Sequence, residues 1–105
     1  MTNSTGLYIT FWAAPGKIDE LVVELQAMVA VTADEEGTLA YGLHRVSGEL
    51  EGVSVYEIYR DAGAQRDHGA SSAIDQLRSR LPELLGAPPE RYALQPIPGA
   101  QGLPF

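Results

Sequence analysis

Glu57 and His68 are the pair in this sequence whose types and spacing best suit proton chemistry. Glu57 lies in a β-branched and aromatic run, Val53 to Arg60, which reads as a strand. At roughly 3.3 Å per residue it stands about 10–13 Å before the turn at Asp61. His68 falls roughly 10 Å into the helix that starts there, at about 1.5 Å per residue. The chain reverses between the two, so both side chains reach a similar depth and can meet between helix and sheet. A carboxylate beside an imidazole fixes its tautomer and strengthens its hold on a proton. Such a pair can take a proton from a phenol or hold it during a reaction. Tyr59 shares the parity of Glu57 and faces the same space, as a site residue or as ordinary packing. The spacing also fits a plainer arrangement. There Glu57 is solvated and paired with Arg60 or Arg45, and His68 caps a broken turn near Gly69.

Phe11, Trp12 and Tyr41 are the candidates for contact with an aromatic ligand, with core packing as the alternative for each. His44 has the opposite parity to Tyr41 and is given no role. Asp34, Glu35 and Glu36 look like a cation site on paper, but nothing else converges on them, so a solvated loop is expected. With no cysteine and two histidines, no metal site is expected, and disulfides, thiolate zinc and iron–sulfur clusters are excluded. Phosphate-binding glycine loops, nucleophile elbows and zinc-protease motifs are absent from the sequence. Seven basic residues face fourteen acidic ones, a formal net charge of −7. That balance repels nucleic acid and anionic membranes. No apolar run approaches the roughly 20 residues of a membrane span, and the first residues lack the marks of a signal peptide, so the cytoplasm is expected.

The elements that must position these side chains follow from periodicity. Leu7 to Ala13 alternates as a strand and is broken by Ala14-Pro15-Gly16. Lys17 to Ala33 carries one apolar stripe at helical spacing, Ile18, Leu21, Val22, Leu25, Met28, Val29 and Thr32. Thr38 to Val46 and Val53 to Arg60 form a hairpin. A second helical region starts at Asp61, breaks near Gly69, and resumes from Ser71 or Ser72 with Ile74, Leu77, Leu81 and Leu84 on one face. Arg91 to Ile97 is a last strand, and Pro98 to Phe105 a Gly/Pro-rich tail with Leu103 and Phe105 at its end. The order βαββαβ predicts one α+β domain over all 105 residues, a ferredoxin-like sandwich whose four-stranded antiparallel sheet bears two helices on one face. Either sheet parity is rich in large apolar residues, Tyr8, Trp12, Tyr56 and Ile58 on one and Ile9, Phe11 and Val55 on the other. One set would face water in a monomer, which predicts a homodimer paired through the helix-free face.

Glu57, Tyr59, Asp61, Ala64 and His68, in that order, resemble the signature of the antibiotic biosynthesis monooxygenase (ABM) superfamily. Pro15-Gly16-Lys17 and Glu36-Gly37-Thr38-Leu39-Ala40-Tyr41 agree with it, so the resemblance spans about residues 7 to 97. It implies a dimeric α/β barrel-type assembly. It also implies oxidation of quinols, anthrones or related phenols by O2 without metal, flavin or haem, the deprotonated substrate itself supplying the electrons. In that setting Glu57, Tyr59 and His68 are the catalytic candidates, in an apolar pocket that Trp12 would help to line. The family often has Trp where Tyr59 stands, which keeps a ring and adds a hydroxyl. The haem-degrading branch is disfavoured, because no histidine occurs near Gln76 or Leu77. An autoinducer-2-processing relative would need cations for a phosphate, for which Arg45, Arg60 and Arg66 are the supply. The expected function is a cofactor-independent monooxygenase, with a non-catalytic dimeric small-molecule-binding module as the alternative from another class.

Overall fold

A computed structural model describes residues 3–99. The chain runs β1 (Thr5–Trp12), α1 (Ile18–Ala33), β2 (Thr38–Ser47), β3 (Glu51–Tyr59), α2 (Ala62–Gly69), α3 (Ser72–Leu84) and β4 (Glu90–Leu94). The four strands form one antiparallel sheet in the order β2-β3-β1-β4. This is the expected ferredoxin-like sandwich, with the second helical region divided into two helices. Among the described residues, no helix is long and apolar enough to cross a membrane.

Alternation sorts the two sheet faces. Ile9, Phe11, Val53 and Val55 point under the helices and are buried with Leu21, Leu25 and Met28 of α1 and Ile74, Leu77 and Leu84 of α3. The apolar stripe of α1 is narrower than its sequence suggests, since Val29 is 41% exposed at its margin. Leu39 is also exposed, because the β2–β3 register shifts between Thr38 and Ala40. Such a bulge takes one residue out of the alternation and restores it beyond, so Tyr41 still faces the helix side, opposite Glu57.

The break at Gly69 has a local cause. Asp61 caps α2 by accepting the Ala64 N–H at 2.8 Å, and Ser71 restarts the helix by accepting the Ile74 N–H at 3.3 Å. Two caps within one helical region produce two separate helices. β4 begins at Glu90 and ends at Leu94, short of the expected Ile97, because Pro96 has no N–H to continue the ladder.

On the helix-free face the Thr10 and Ser54 hydroxyls share a hydrogen bond of 2.8 Å and are buried, as is Ile58. Tyr8, Trp12 and Tyr56 are half-buried, and Tyr92, packed 6.5 Å from Tyr8 between ring centres, is 57% exposed. The chain's own side chains therefore cover more of this face than strand parity alone implies. Leu103 and Phe105, the apolar end of the expected tail, lie outside the described residues.

Candidate active site

Glu57 and Tyr59 continue the inward parity of Val53 and Val55 toward the end of β3, where α2 covers the sheet. Both are buried, and so is His68 in the last turn of α2. The Tyr59 hydroxyl donates to Glu57 Oε1. His68 Nε2 stands 3.7 Å from that same oxygen, within ion-pair range and beyond a hydrogen bond. The ring of Tyr59 lies 5.3 Å from the imidazole and that of Tyr41 lies 6.0 Å away, both tilted. The expected meeting of Glu57 and His68 therefore occurs, and the plainer arrangement of a solvated Glu57 does not.

The hydrogen-bond partner of His68 is a different carboxylate. Its Nδ1 lies 2.8 Å from Glu35 Oε1, which also accepts the Thr38 hydroxyl at 2.8 Å. The expectation of a solvated acidic loop fails at this residue: Glu35 is only 24% exposed and faces inward. The reason is the route of the chain after α1. Asp34 caps the helix, the Glu35 N–H bonds the Thr32 carbonyl at 3.0 Å, and the Thr38 N–H returns to the Glu35 carbonyl at 3.0 Å. That tight turn passes against α2 at Gly37, where an added Cβ would lie 2.5 Å from the Ala64 Cβ. The Arg60 N–H bonds the Gly37 carbonyl at 2.8 Å and ties the turn to the end of β3. Glycine is required there by the closeness of two chain segments, and that closeness brings Glu35 to His68.

The site's electrostatics are those of buried acids. Desolvation raises the Glu57 pKa above the ordinary carboxyl range. The Tyr59 hydrogen bond, His68 and Arg91 offset part of this, while Glu35 adds to it. Burial also raises both phenols, Tyr59 and Tyr41, with the negative charge of Glu57 adding to each. Both therefore remain hydroxyl donors at neutral pH.

Glu57, Tyr59 and His68 form the polar wall of a cavity of about 210 Å³ whose other walls include Leu7, Ile9, Phe11, Ile74, Leu77 and Leu81. Gln65, Arg78 and Arg91 also line it. Arg91 is opposite Ile9 in the β1–β4 ladder, which puts it on the helix side of the sheet. Sequence reasoning missed both arginines: Arg91 because the register of a short edge strand is not written in its own residues, and Arg78 because it stands on α3 beside Leu77, at the edge of the apolar stripe. On its other side His68 lines a polar cleft of about 220 Å³ with Glu35, Glu36, Arg60 and Asp67.

Phe11 lines the cavity, as expected, but Trp12 does not. Neighbours along a strand point to opposite faces, so Trp12 stands in a separate hollow with Gly48, Leu50 and Pro88, its indole N–H directed to Glu90 at 3.3 Å. Tyr41 packs beside His68 and is not among the residues lining the cavity. Arg45, Arg60 and Arg66 do not converge: Arg60 lines the polar cleft, while Arg45 and Arg66 are exposed on β2 and α2. Among the described residues, no group of three histidine, aspartate or glutamate side chains is placed to hold a metal ion.

The arrangement joins a largely apolar cavity to a buried carboxyl, phenol and imidazole, and the fold that holds it is shared by solved structures. Protein PA3566 of Pseudomonas aeruginosa is 28% identical with a TM-score of 0.82, over 92% of this chain and 97% of that one. Rv0793 of Mycobacterium tuberculosis is 26% identical with a TM-score of 0.82, over 90% and 95%. A Caulobacter crescentus protein, described as an antibiotic biosynthesis monooxygenase candidate, shares the fold at 24% identity and a TM-score of 0.84, over 91% and 92%. No curated protein matches this chain in sequence. The sequence profile of the antibiotic biosynthesis monooxygenases matches residues 6–80, a stretch holding Glu35, Glu57, Tyr59 and His68 together, and the chain belongs to that family.

Proposed function

We propose that this chain oxidises a small, electron-rich aromatic of the quinol or anthrone class with molecular oxygen, without a bound cofactor. One observation carries the reading: the buried Glu57–Tyr59–His68 cluster forms the polar wall of a cavity otherwise largely apolar. A volume of about 210 Å³ suits a ligand below drug size, for which pockets of about 300–1,000 Å³ are usual. The apolar walls hold the ring in a dry site, and His68 Nε2 faces its hydroxyl as the base. Arg91, which makes no side-chain ion pair or hydrogen bond among the described residues, lies where it can favour the phenolate or enolate. The electrons come from the substrate. One oxygen atom enters a ring carbon and the other leaves as water, so a dihydroxynaphthalene and O2 give a hydroxynaphthoquinone and H2O.

The test is oxygen uptake on an electrode, with dihydroxynaphthalene and anthrone as probes and protein dialysed against chelator. The expected result is uptake above the spontaneous rate, with a product heavier by one oxygen and lighter by two hydrogens. Saturable binding without uptake would overturn the reading in favour of a binding module. We also propose that two copies pair through the helix-free face, on the strength of Tyr92 and the half-buried Tyr8, Trp12 and Tyr56. A solution mass near the 11.3 kDa of one chain would refute it.

A further inference from the structure

His68 is the wall between two cavities. Its Nε2 side faces the apolar cavity and Glu57, and its Nδ1 side faces Glu35, which borders the polar cleft and is partly exposed to water. We propose that Glu35 is a proton-relay residue, so that His68 and Glu35 form a path carrying protons between the apolar cavity and the water of the polar cleft. This use of the path in turnover rests on the function proposed above.

An imidazole moves a proton by accepting at one nitrogen and releasing at the other. In the relay, a substrate hydroxyl gives its proton to Nε2, the Nδ1 proton passes to Glu35 Oε1, and Glu35 releases it to water in the cleft. One O–H bond breaks and one N–H bond forms on the cavity side. One N–H bond breaks and one O–H bond forms on the cleft side, with no change in oxidation state. The reverse sequence returns a proton when water departs. The 2.8 Å contact from Nδ1 to Glu35 sets the direction, because it assigns the Nδ1 proton to that carboxylate and leaves Nε2 to the cavity. Thr38 holds the same oxygen of Glu35 from its other side and fixes its aim.

Among the described residues, the charged and titratable groups around His68 are Glu35 and Glu36 from the turn after α1, Tyr41 from β2, Glu57 and Tyr59 from β3, Arg60 beyond it, Asp67 on its own helix, and, lining the apolar cavity with it, Arg78 of α3 and Arg91 of β4. Glu35 alone pairs a hydrogen bond to the imidazole with access to the cleft. A structural role would require only that Glu35 accept that hydrogen bond, and a glutamine carbonyl still accepts it, though less strongly than a carboxylate. A relay requires that it take the proton, which a glutamine does not do.

The experiment compares Glu35→Gln with the parent by nitrogen-15 NMR of histidine-labelled protein, with His44→Gln in the background to leave one histidine signal. In Glu35→Gln the proton is expected to stay on Nδ1 and to exchange with water about tenfold more slowly. In oxygen uptake with dihydroxynaphthalene, kcat is expected to fall about 10- to 100-fold, with KM changed less than about twofold. Glu83→Gln removes the same charge at a remote, exposed position and is expected to change neither quantity. In Glu35→Ala, added acetate is expected to restore both exchange and part of kcat. Exchange in Glu35→Gln as fast as in the parent overturns the relay. So does a slowed Glu35→Ala chain that acetate leaves slow, a result readable even where the glutamine variant does not fold. If the parent consumes no oxygen with either probe, the proposed function fails, and the exchange rates still decide the relay.

Discussion

The helix-covered face of the sheet has two ends of opposite character. At one end Phe11, Val53, Val55 and Leu21 close a core without a polar side chain among them. At the other, along the same strand β3, Glu57, Tyr59, His68 and the inward-facing Glu35 place two carboxyl groups, an imidazole and a phenol side by side. The first end follows from the hydrophobic effect, since every side chain there gains by leaving water. The second opposes it. A buried acid costs stability unless its hydrogen bonds are satisfied, and even then an apolar residue of the same shape often does as well. Clusters of this kind beside a cavity collect at functional sites. On the proposed function the two ends divide the labour, one holding the sandwich together and the other carrying the chemistry.

The comparison breaks first on stability. Leu25, fully buried in the apolar end, is expected on replacement by alanine to lower unfolding free energy by about 2–5 kcal/mol. Turnover per folded molecule should remain, as read by urea denaturation alongside oxygen uptake. His68→Ala is expected to do the reverse, reducing turnover by about 100-fold while leaving the chain folded, as read on one preparation by circular dichroism and oxygen uptake. A folded His68→Ala chain with unchanged turnover would remove the chemical role from the polar end.

A third measurement sharpens the contrast through pH. Burial raises the Glu57 pKa above its unfolded value near 4.5, so the folded state binds that proton more tightly. The corresponding stabilisation is fully present below the unfolded value and is lost as pH rises through the folded one. Glu57→Gln removes this dependence. Urea midpoints of parent and variant should therefore lie closest in acid and separate toward alkaline pH, with the glutamine chain the more stable. A parent that gains stability relative to the variant over that range would show that its partners outweigh burial.

The smallest effect is expected at Trp12, outside the cavity on the other face. Trp12→Phe should change turnover by less than about twofold, the scale of a partly exposed substitution away from a site. The indole should accordingly report ligand entry weakly, and a strong quench of its fluorescence by a cavity ligand would contradict the placement.

Most of the fold was legible because periodicity reports which side of an element meets the core. Ile9 and Phe11 alternate with Tyr8, Thr10 and Trp12, and Leu21, Leu25, Met28 and Thr32 mark the buried side of α1. Asp61 announced one helix start by its capping chemistry and the Ser71–Ser72 pair another, of which Ser71 is the cap. Parity also put Glu57 and Tyr59 together, and rise per residue brought His68 level with them. Glu35 was hidden for a physical reason. It lies in a turn without periodicity, and its contact with His68 depends on the close passage of Gly37 and Ala64, a tertiary event that no local pattern encodes. The same alternation that located Phe11 in the cavity excludes Trp12 from it, so that placement could have been refused from the sequence alone. The bulge at Leu39 and the β4 register that brings in Arg91 depend on pairing between distant segments, and strand-by-strand reading does not reach them.

The closeness of Gly37 to Ala64 also bears on how the molecule moves. A helix of eight residues at the edge of a core belongs to the class of elements that open first in thermal fluctuation. Here the turn carrying Glu35 rests directly on that helix and is tied by the Arg60 N–H to the strand that carries Glu57. Held on one side by the strand and on the other by the close contact with Ala64, the turn acts as a clamp that opposes displacement of α2 over the sheet, so one fastening serves both neighbours of His68, Glu35 and Glu57.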